Sequence, residues 1–181
     1  MLEQDVTPLA WKIELLLMDV DGVLTDGTLL YLPLADGRVV ETKTFHATDG
    51  AAIGIARRAG IKTGIISGRA SLAVARRAEE LAMDFLYQGL GRAKLPAFEE
   101  ILGKTRIVAG RVCYVGDDIQ DLPILTRVGF PVAVPNACSE VLTRAAYVTR
   151  APGGRGAIRE VIELILRAQG KWEATMSEFL S

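Results

Sequence analysis

The stretch that decides the fold runs from Ile13 to Gly27 and reads IELLLMDVDGVLTDG. Ile13–Met18 is a short apolar run, which is typical of a strand that is covered on both faces of a parallel sheet. Asp19 and Asp21 follow this run at once, in a D-x-D pattern. Ligands of open parallel sheets bind outside the carboxyl ends of the strands. This stretch therefore predicts a strand that ends at a ligand crevice with two carboxylates.

Further apolar runs alternate with segments of helical period along the chain. The predicted strands are Ile13–Met18, Thr63–Ile66, Phe85–Tyr87, Val112–Val115, Pro131–Val134 and Ala146–Thr149. The predicted helices are Gly50–Ala59, Ala70–Ala82, Ala93–Leu102, Asp121–Thr126 and Ala157–Gln169. Such alternation predicts an α/β fold, a Rossmann-like doubly wound parallel sheet with helices on both faces.

Residues 28–45 interrupt this alternation. Two β-prone runs flank the dipeptide Asp36-Gly37, which favours a tight hairpin turn. We expect a β-hairpin insertion that stands off the sheet, and no separate cap domain. The 181 residues contain no linker-like segment, so a single domain over 1–181 is expected, with a tail over 171–181 whose order depends on a partner.

Charge and composition argue against several classes of protein. The formal net charge is −1, so no overall field attracts nucleic acid or an anionic membrane. Cys113 and Cys138 do not form a C-x-x-C pair, and both are expected to be reduced thiols. The N-terminal segment has neither a basic start nor an apolar core of a secretory signal, so the expected location is the cytoplasm.

Polar residues follow four of the predicted strands. They are Asp19 and Asp21 after the first strand, Ser67, Gly68 and Arg69 after the second, Lys94 after the third, and Asp117 and Asp118 after the fourth. Oxygen ligands without histidine or cysteine favour Mg²⁺. The metal, Ser67 and Lys94 could together bind a phosphoryl group. Asp19 is then the predicted nucleophile that forms an aspartyl phosphate, and Asp21 the predicted general acid and base.

Each of these motifs alone has a simpler structural interpretation. A D-x-D pair is common in turns and helix N-caps, and Asp118 and Asp121 could only cap the next helix. An isolated lysine such as Lys94 is often a solvated surface charge. The ordered combination of DVDGVLTDG, ISGR, a lysine and YVGDD is much more specific than any of its parts.

This combination resembles the haloacid-dehalogenase-like phosphatase superfamily, and within it the 3-deoxy-D-manno-octulosonate 8-phosphate phosphatase group. The similarity extends from about Ile13 to Gly170. It rests on DVDGVLTDG (19–27), F-x-x-x-D-G (45–50), IISGR (65–69), LYQG (86–89), YVGDD (114–118) and APGGRGAIRE (151–160). The resemblance implies a Mg²⁺-dependent phosphatase of lipopolysaccharide biosynthesis that hydrolyses a small sugar-acid phosphate.

The resemblance also implies roles for individual residues. The implied metal ligands are the carboxylates of Asp19 and Asp117 and the main-chain carbonyl of Asp21, with Asp118 and Asp121 around them. The predicted substrate-binding residues are Asp21, His46, Thr48, Asp49, Gly50, Ser67, Gly68, Arg69, Arg77 and Lys94, of which the resemblance itself implies Ser67, Lys94, Arg69 and Arg77. The simpler interpretation of His46 is that it ends a strand near the mouth of the site, and no general-base role is expected for it. The group implies a homotetramer without caps, in which the hairpin and tail of one subunit close a neighbour's site.

The substrate side of the site departs from the group's pattern. His46-Ala47-Thr48 stands where that group typically has Asn-Val-Arg, and Gly54 falls where a basic residue is common. Fewer cationic side chains should weaken the recognition of a carboxylated sugar. A nonulosonate 9-phosphate or another sugar phosphate is therefore the alternative substrate to octulosonate 8-phosphate.

Other functions remain open at the level of sequence. A response-regulator receiver also gathers acidic residues, a hydroxyl and a lysine at strand ends, and accepts phosphate on an aspartate without hydrolysing substrates. Asp21 and the hairpin over 28–45 argue against it, because turnover needs an acid and base. A phosphomutase would return the phosphoryl group to a sugar, and an inactive scaffold would lack part of the residue set.

Overall fold

The computed structural model describes residues 5–177, which form eight strands and eight α-helices. The strands are β1 Leu15–Met18, β2 Leu30–Pro33, β3 Val39–Thr42, β4 Lys62–Ile66, β5 Phe85–Tyr87, β6 Val112–Gly116, β7 Phe130–Ala133 and β8 Tyr147–Val148. The helices are α1 Thr7–Ala10, α2 Ala47–Arg58, α3 Leu72–Glu80, α4 Lys94–Thr105, α5 Leu122–Leu125, α6 Ser139–Leu142, α7 Ala157–Ala168 and α8 Trp172–Ser177. Short 3₁₀ turns occupy Ala109–Arg111 and Ile119–Asp121.

Six of the strands form one parallel sheet in the order β5-β4-β1-β6-β7-β8. This is the strand order of a Rossmann-like doubly wound sheet, with β1 at the centre and the direction of winding reversed between β1 and β6. Met18 lies opposite Ile65 of β4 and Val115 of β6, so these three strands end side by side. The predicted fold class is confirmed, and the residues after these strands share one edge.

Helices cover both faces of the sheet, and the alternation of side chains along β1 shows why. Leu16 and Met18 belong to a core on the face covered by α1, α2 and α7. Leu15 and Leu17 belong to a second core on the opposite face, beneath α4 and α5. All four side chains are fully buried, and each contributes roughly 1.5–3 kcal/mol by leaving water. Burial on two sides accounts for the uninterrupted apolar run in the sequence.

Strands β2 and β3 form the predicted hairpin. They pair in an antiparallel register that sets Leu30 opposite Thr42 and Pro33 opposite Val39, in a two-stranded sheet separate from the main one. The turn between them is closed by the Asp36 carboxylate, which accepts a hydrogen bond from the Arg38 amide. Residues 5–177 contain no further cap over the carboxyl edge of the sheet.

The C-terminal segment corrects one expectation. Residues 172–177 form α8, which packs on α7 and buries Trp172 and Thr175 in the same chain. The Arg167 guanidinium lies over the Trp172 ring, 4.9 Å from its centroid. The expectation that this tail depends on a partner for its order is wrong for 172–177, because an apolar anchor holds it. The last part of the predicted tail, 178–181, lies outside the described residues.

Helices α1 and α6 are each only four residues long, and neither was predicted. The predicted helix Asp121–Thr126 is divided into the 3₁₀ turn Ile119–Asp121 and α5, which has a proline in its first turn. None of the helices within 5–177 is long and apolar enough to cross a membrane.

Candidate active site

Asp19 stands at the end of the central strand, where it is almost completely buried. Its amide donates a hydrogen bond to the carbonyl of Val115, which extends the pairing of β1 with β6 by one residue. Its Oδ1 lies 2.9 Å from Nζ of Lys94, which begins α4 and is also fully buried. A buried lysine needs a charged partner, so Lys94 is not the solvated surface charge that its isolated position in sequence suggested.

Asp121 fixes the other side of Lys94. Its Oδ1 accepts hydrogen bonds from Lys94 Nζ at 2.7 Å and from the hydroxyl of Tyr114 at 2.6 Å. Its Oδ2 accepts from the amides of Asp117 at 3.1 Å and Asp118 at 3.3 Å. Both oxygens are thus engaged within the protein. Tyr114 was missed because it lies inside the apolar run of β6, where sequence indicates only burial.

Burial and like charge raise the pKa of two carboxyls in this cluster. Desolvation, followed by the charge of Asp121, raises the pKa of Asp19 to about 7, against the lowering effect of Lys94. Desolvation, followed by the charge of Asp19, raises the pKa of Asp117 to about 8. Three carboxylates around one lysine carry an excess of negative charge, so the cluster favours an additional cation.

The geometry of the cluster fits a metal ion. One carboxylate oxygen each of Asp19, Asp117 and Asp121 lies within 4.8 Å of the other two. Oδ1 of Asp117 is buried and has no hydrogen-bond partner among residues 5–177. An uncompensated buried oxygen is costly unless a cation or water meets it, and an all-oxygen donor set suits Mg²⁺. Asp19 and Asp117 have oxygens free for a metal, whereas Asp121 is fully used by its hydrogen bonds.

A glycine contact holds the D-x-D loop against Asp117. Gly22 has a φ of 89°, and a Cβ there would overlap the Asp117 carboxylate. Gly153 packs on the backbone of Gly22 so closely that it has no room for a side chain. Asn136 links the two, since its Nδ2 donates to the Gly22 carbonyl and its Oδ1 accepts from the Gly153 amide, both at 2.9 Å. This contact explains Gly153, the first glycine of APGGRG, and Asn136 is a second residue that sequence reasoning missed.

Ser67 follows β4 at the same edge and is buried. Its amide donates to the carbonyl of Tyr87 at 2.8 Å, and the amide of Gly91 donates to the carbonyl of Gly68 at 2.9 Å. The loop after β4 is therefore bonded to the loop after β5. The structure brings Ser67 to the carboxyl edge beside Asp19, as the strand-end rule predicts.

Asp21 contacts the hairpin, which sequence reasoning did not foresee. Its Oδ1 forms an ion pair with Lys43, just beyond β3, and Lys43 also lies 3.1 Å from Glu41. Arg69 pairs with Glu41, lies 3.9 Å from Asp21 Oδ2 and approaches the hydroxyl of Tyr31 at 3.4 Å. The stem of the hairpin is thus attached to the site of its own chain.

The residues of F-x-x-x-D-G and α3 pack against each other. His46 Nδ1 and Thr48 Oγ1 are 2.6 Å apart at the start of α2. Arg77 ion-pairs with Glu80 at 3.4 Å, with its guanidinium 5.9 Å from the centroid of the Phe45 ring. It also lies against Gly50, where an added Cβ would meet it. Neither Thr48 nor Arg77 has a recorded contact with the Asp19 cluster among the described residues.

Asp49 corrects the predicted substrate-binding set. Its carboxylate is buried and accepts hydrogen bonds from the amides of Gly156 at 3.1 Å and Arg159 at 2.8 Å. It therefore caps the beginning of α7 and is not available as a substrate ligand. The simpler interpretation of Asp118 is confirmed in part, since its carboxylate accepts from the Ile119 amide at 2.7 Å and caps a 3₁₀ turn.

Comparison with known proteins shows the family to which this chain belongs. Residues 89–162 match the model of haloacid dehalogenase-like hydrolases. The chain is 46% identical over 167 residues to the 3-deoxy-D-manno-octulosonate 8-phosphate phosphatase of Escherichia coli (strain K12), covering 92% of this chain and 86% of that protein.

Two crystal structures agree with this relationship. A probable YrbI family phosphatase from Pseudomonas syringae pv. phaseolica 1448a superposes with a TM-score of 0.91 at 44% identity, covering 98% of both chains. The Moraxella catarrhalis 3-deoxy-D-manno-octulosonate 8-phosphate phosphatase, solved with a magnesium ion, a phosphate ion and a KDO molecule, superposes with a TM-score of 0.90 at 39% identity, covering 97% of this chain and 98% of that one. The chain belongs to the 3-deoxy-D-manno-octulosonate 8-phosphate phosphatase group of the haloacid-dehalogenase-like hydrolases.

Proposed function

We propose that this chain is a Mg²⁺-dependent phosphatase that hydrolyses 3-deoxy-D-manno-octulosonate 8-phosphate through an aspartyl phosphate. The observation that carries the proposal is the buried Asp19 carboxylate at the end of β1, beside Lys94 and within reach of the uncompensated oxygen of Asp117. The resemblance in sequence and structure to phosphatases of this specificity supports the substrate.

Asp19 is the proposed nucleophile. One of its oxygens attacks phosphorus, and the bond from phosphorus to the sugar oxygen breaks. Lys94 and the hydroxyl of Ser67, which lie at the same edge, are assigned to the phosphoryl oxygens, where charge accumulates in the transition state. Burial of this group excludes bulk water from the carboxylate before substrate binds.

Asp21 is the proposed acid and base. It donates a proton to the leaving sugar oxygen in the first step. In the second step it accepts a proton from the water that attacks the aspartyl phosphate, which releases inorganic phosphate and restores Asp19. Its carboxylate lies outside the buried cluster and is partly exposed, so it is accessible to the leaving group of a bound substrate.

Asp19 and Asp117 would hold Mg²⁺ through their carboxylates, and Asp21 through its main-chain carbonyl. A bound Mg²⁺ supplies neutralisation of charge on the phosphoryl oxygens and on the crowded carboxylates. Asp121 acts indirectly, because its carboxylate accepts hydrogen bonds that hold Lys94 and the backbone of Asp117 and Asp118 in place.

The sugar is proposed to be bound by residues around this core. We assign Arg69 and Arg77 to the sugar acid's carboxylate and hydroxyls, Gly68 and Gly50 to close backbone approach, and His46 and Thr48 to the rim. A nonulosonate 9-phosphate is the second candidate substrate. Thr48 is hydrogen-bonded to His46 at the start of α2 and Gly54 has no side chain, so neither position supplies a cation for the carboxylate of the sugar.

The test is a screen for Mg²⁺-dependent phosphate release from octulosonate 8-phosphate, nonulosonate 9-phosphates, other sugar phosphates and p-nitrophenyl phosphate. We expect catalytic turnover that EDTA abolishes, with the highest kcat/KM on octulosonate 8-phosphate. A higher value on a nonulosonate 9-phosphate would overturn the substrate and leave the reaction intact. A stoichiometric aspartyl phosphate without turnover would instead indicate a receiver, and an isomerised sugar phosphate a mutase.

A homotetramer of single-domain subunits in the cytoplasm is part of the proposal. The hairpin supports self-association because it exposes apolar side chains on both faces: Leu29, Leu30, Tyr31, Leu32, Leu34, Val39 and Val40. Contiguous exposed apolar surface of this kind is typical of an interface. Sedimentation should show a tetramer, which Leu32→Lys should weaken; a monomer at micromolar concentration would contradict it.

A further inference from the structure

The hairpin reaches the site of its own chain through one buried cation. Lys43 follows β3 directly, and its side chain is only 1% exposed. Its ammonium contacts Oδ1 of Asp21 and lies 3.1 Å from Oε1 of Glu41. A nearly buried ammonium is stable only with charged partners, so a hairpin position that moved Lys43 away from Asp21 would remove one of the two carboxylates that pair with this charge.

The two oxygens of Asp21 have different surroundings. Oδ1 is engaged by Lys43, whereas Oδ2 lies 3.9 Å from the Arg69 guanidinium. A carboxylate that is fixed through one oxygen can present the other in a single direction. Asp21 itself is partly exposed on a loop, where nothing else among the described residues pairs with its carboxylate at hydrogen-bond distance.

We propose that Lys43 is a positioning residue, which fixes the Asp21 carboxylate through Oδ1 so that Oδ2 faces the leaving oxygen of the substrate. The hairpin of each subunit thereby completes the acid and base of its own site. This inference rests on the role proposed above for Asp21. Lys43 need not touch the substrate; it acts through Asp21.

The leaving group distinguishes positioning from a general structural effect. A sugar alkoxide must be protonated as it departs, whereas p-nitrophenolate departs without a proton. A misdirected Asp21 should therefore slow the transfer from a sugar phosphate more than the transfer from p-nitrophenyl phosphate. The kcat/KM value covers only the steps up to the aspartyl phosphate, so the hydrolysis common to both substrates does not enter the comparison.

The experiment measures kcat/KM of full-length Lys43→Met on 3-deoxy-D-manno-octulosonate 8-phosphate and on p-nitrophenyl phosphate, at saturating Mg²⁺. We expect the value on the sugar phosphate to fall about 10–100-fold further than the value on p-nitrophenyl phosphate. Lys43→Arg should recover most of the difference, because it restores a cation beside Asp21. Lys43→Gln, which keeps a polar donor, replaces the methionine variant if that one does not fold, with the same selective loss expected.

Two controls separate this inference from the proposed function. Arg38→Ala, at the exposed turn of the hairpin, should leave both values unchanged. Asp21→Asn should show the selective loss on the sugar phosphate. Equal losses in Asp21→Asn would overturn the acid role and this inference with it. A selective loss in Asp21→Asn together with equal losses, or none, in Lys43→Met would overturn the role of Lys43 alone.

Discussion

Two ionic clusters meet at the D-x-D loop, and they are built differently. The inner cluster joins Asp19, Lys94 and Asp121, whose side chains are 2%, 0% and 0% exposed. The outer cluster joins Asp21 and Glu41 to Arg69 and Lys43. The side chains of Asp21, Glu41 and Arg69 are 20%, 19% and 46% exposed, whereas that of Lys43 is 1% exposed. The inner one stands on strand ends and helix starts, whereas the outer one joins the loops after β1 and β4 to the hairpin.

This difference separates two parts of the proposed reaction. The bond to phosphorus is made where charges are buried, fixed by the sheet and expensive to alter. The proton transfer and the recognition of the sugar lie where side chains are held by a hairpin and reached by water. The inner cluster should therefore be sensitive in both activity and stability, and the outer cluster mainly in activity.

The largest expected effect is that of Asp19→Asn. Because the amide cannot attack phosphorus, kcat should fall by about 10⁴–10⁶-fold while the fold is kept. Phosphate release under saturating Mg²⁺ measures it, with circular dichroism to confirm folding. Asp118→Asn, in a capping carboxylate outside the inner cluster, is the matched control and should lose far less. Activity of Asp19→Asn within tenfold of the parent would contradict the nucleophile assignment.

Asp21→Asn tests the outer cluster in the same assay. The loss of proton transfer should reduce kcat by about 10²–10⁴-fold on a sugar phosphate. Mg²⁺ affinity should be largely kept, because only the main-chain carbonyl of Asp21 is proposed to bind the metal. Calorimetric titration of Mg²⁺ checks this second point. If Mg²⁺ affinity collapsed along with activity, the division between the two clusters would be wrong at this residue.

Lys94→Met tests whether burial makes the inner cluster structural as well as catalytic. The substitution leaves the carboxylates of Asp19 and Asp121 buried without their shared cation. The free energy of unfolding should fall by about 3–5 kcal/mol. Urea unfolding with EDTA present measures it, since Mg²⁺ would otherwise replace part of the lost charge. A loss below about 1 kcal/mol would show that the cluster is better hydrated than its burial indicates.

The inner cluster could be predicted from the sequence, whereas the outer one could not. Asp19, Ser67 and Asp117 directly follow the buried strands β1, β4 and β6, and Lys94 begins the helix after β5. A parallel sheet brings such positions to one edge whatever the intervening loops are. Lys43 follows an exposed hairpin strand, and its partner Asp21 lies 22 residues away with no periodic signal to join them. The pairing depends on how the hairpin is placed relative to the sheet, which local pattern does not encode.

The same limit explains the residues that were misassigned or missed. Asp49 lies 107 residues from Gly156, so no local pattern in the motif F-x-x-x-D-G indicates that Asp49 caps α7. Helix α8 was taken for a tail because six residues give too little periodicity to indicate a helix. The central strands β1, β4 and β6 were predicted to within two residues because burial on both faces leaves a continuous apolar run.

Proton competition with Mg²⁺ gives a smaller effect, at Asp19 of the inner cluster and at Asp117 beside it. In the metal-free protein the pKa values of Asp19 and Asp117 are raised to about 7 and about 8, above the value of about 3.9 for an unfolded chain. At pH values between about 3.9 and the raised pKa values, the folded state binds more protons than the unfolded state. The stability of the folded state therefore falls as pH rises through this range. Mg²⁺ requires the ionised carboxylates and should offset that loss.

The increase in melting temperature on adding Mg²⁺ should therefore be larger at about pH 8.5 than at about pH 6. Thermal unfolding at the two pH values, with EDTA as the metal-free reference, measures the difference. Asp117→Asn should reduce the dependence on pH, since it removes one of the two raised carboxyls. An equal increase at both pH values would show that these carboxyls are already ionised without the metal.

The smallest expected effect belongs to the outer cluster, where Arg69→Met should lower the free energy of unfolding by only about 0.2–1 kcal/mol. Arg69 pairs with Glu41 while nearly half exposed, so water can replace either partner when the other is lost. Arg38→Met, at the hairpin turn, is the matched exposed control and should cost a similar amount. Urea unfolding of Arg69→Met and Lys94→Met under the same conditions compares the contributions of the two clusters to the free energy of unfolding. A loss for Arg69→Met near that of Lys94→Met would mean that the hairpin is as much a part of the folded core as the strand ends are, and that stability does not separate the two clusters.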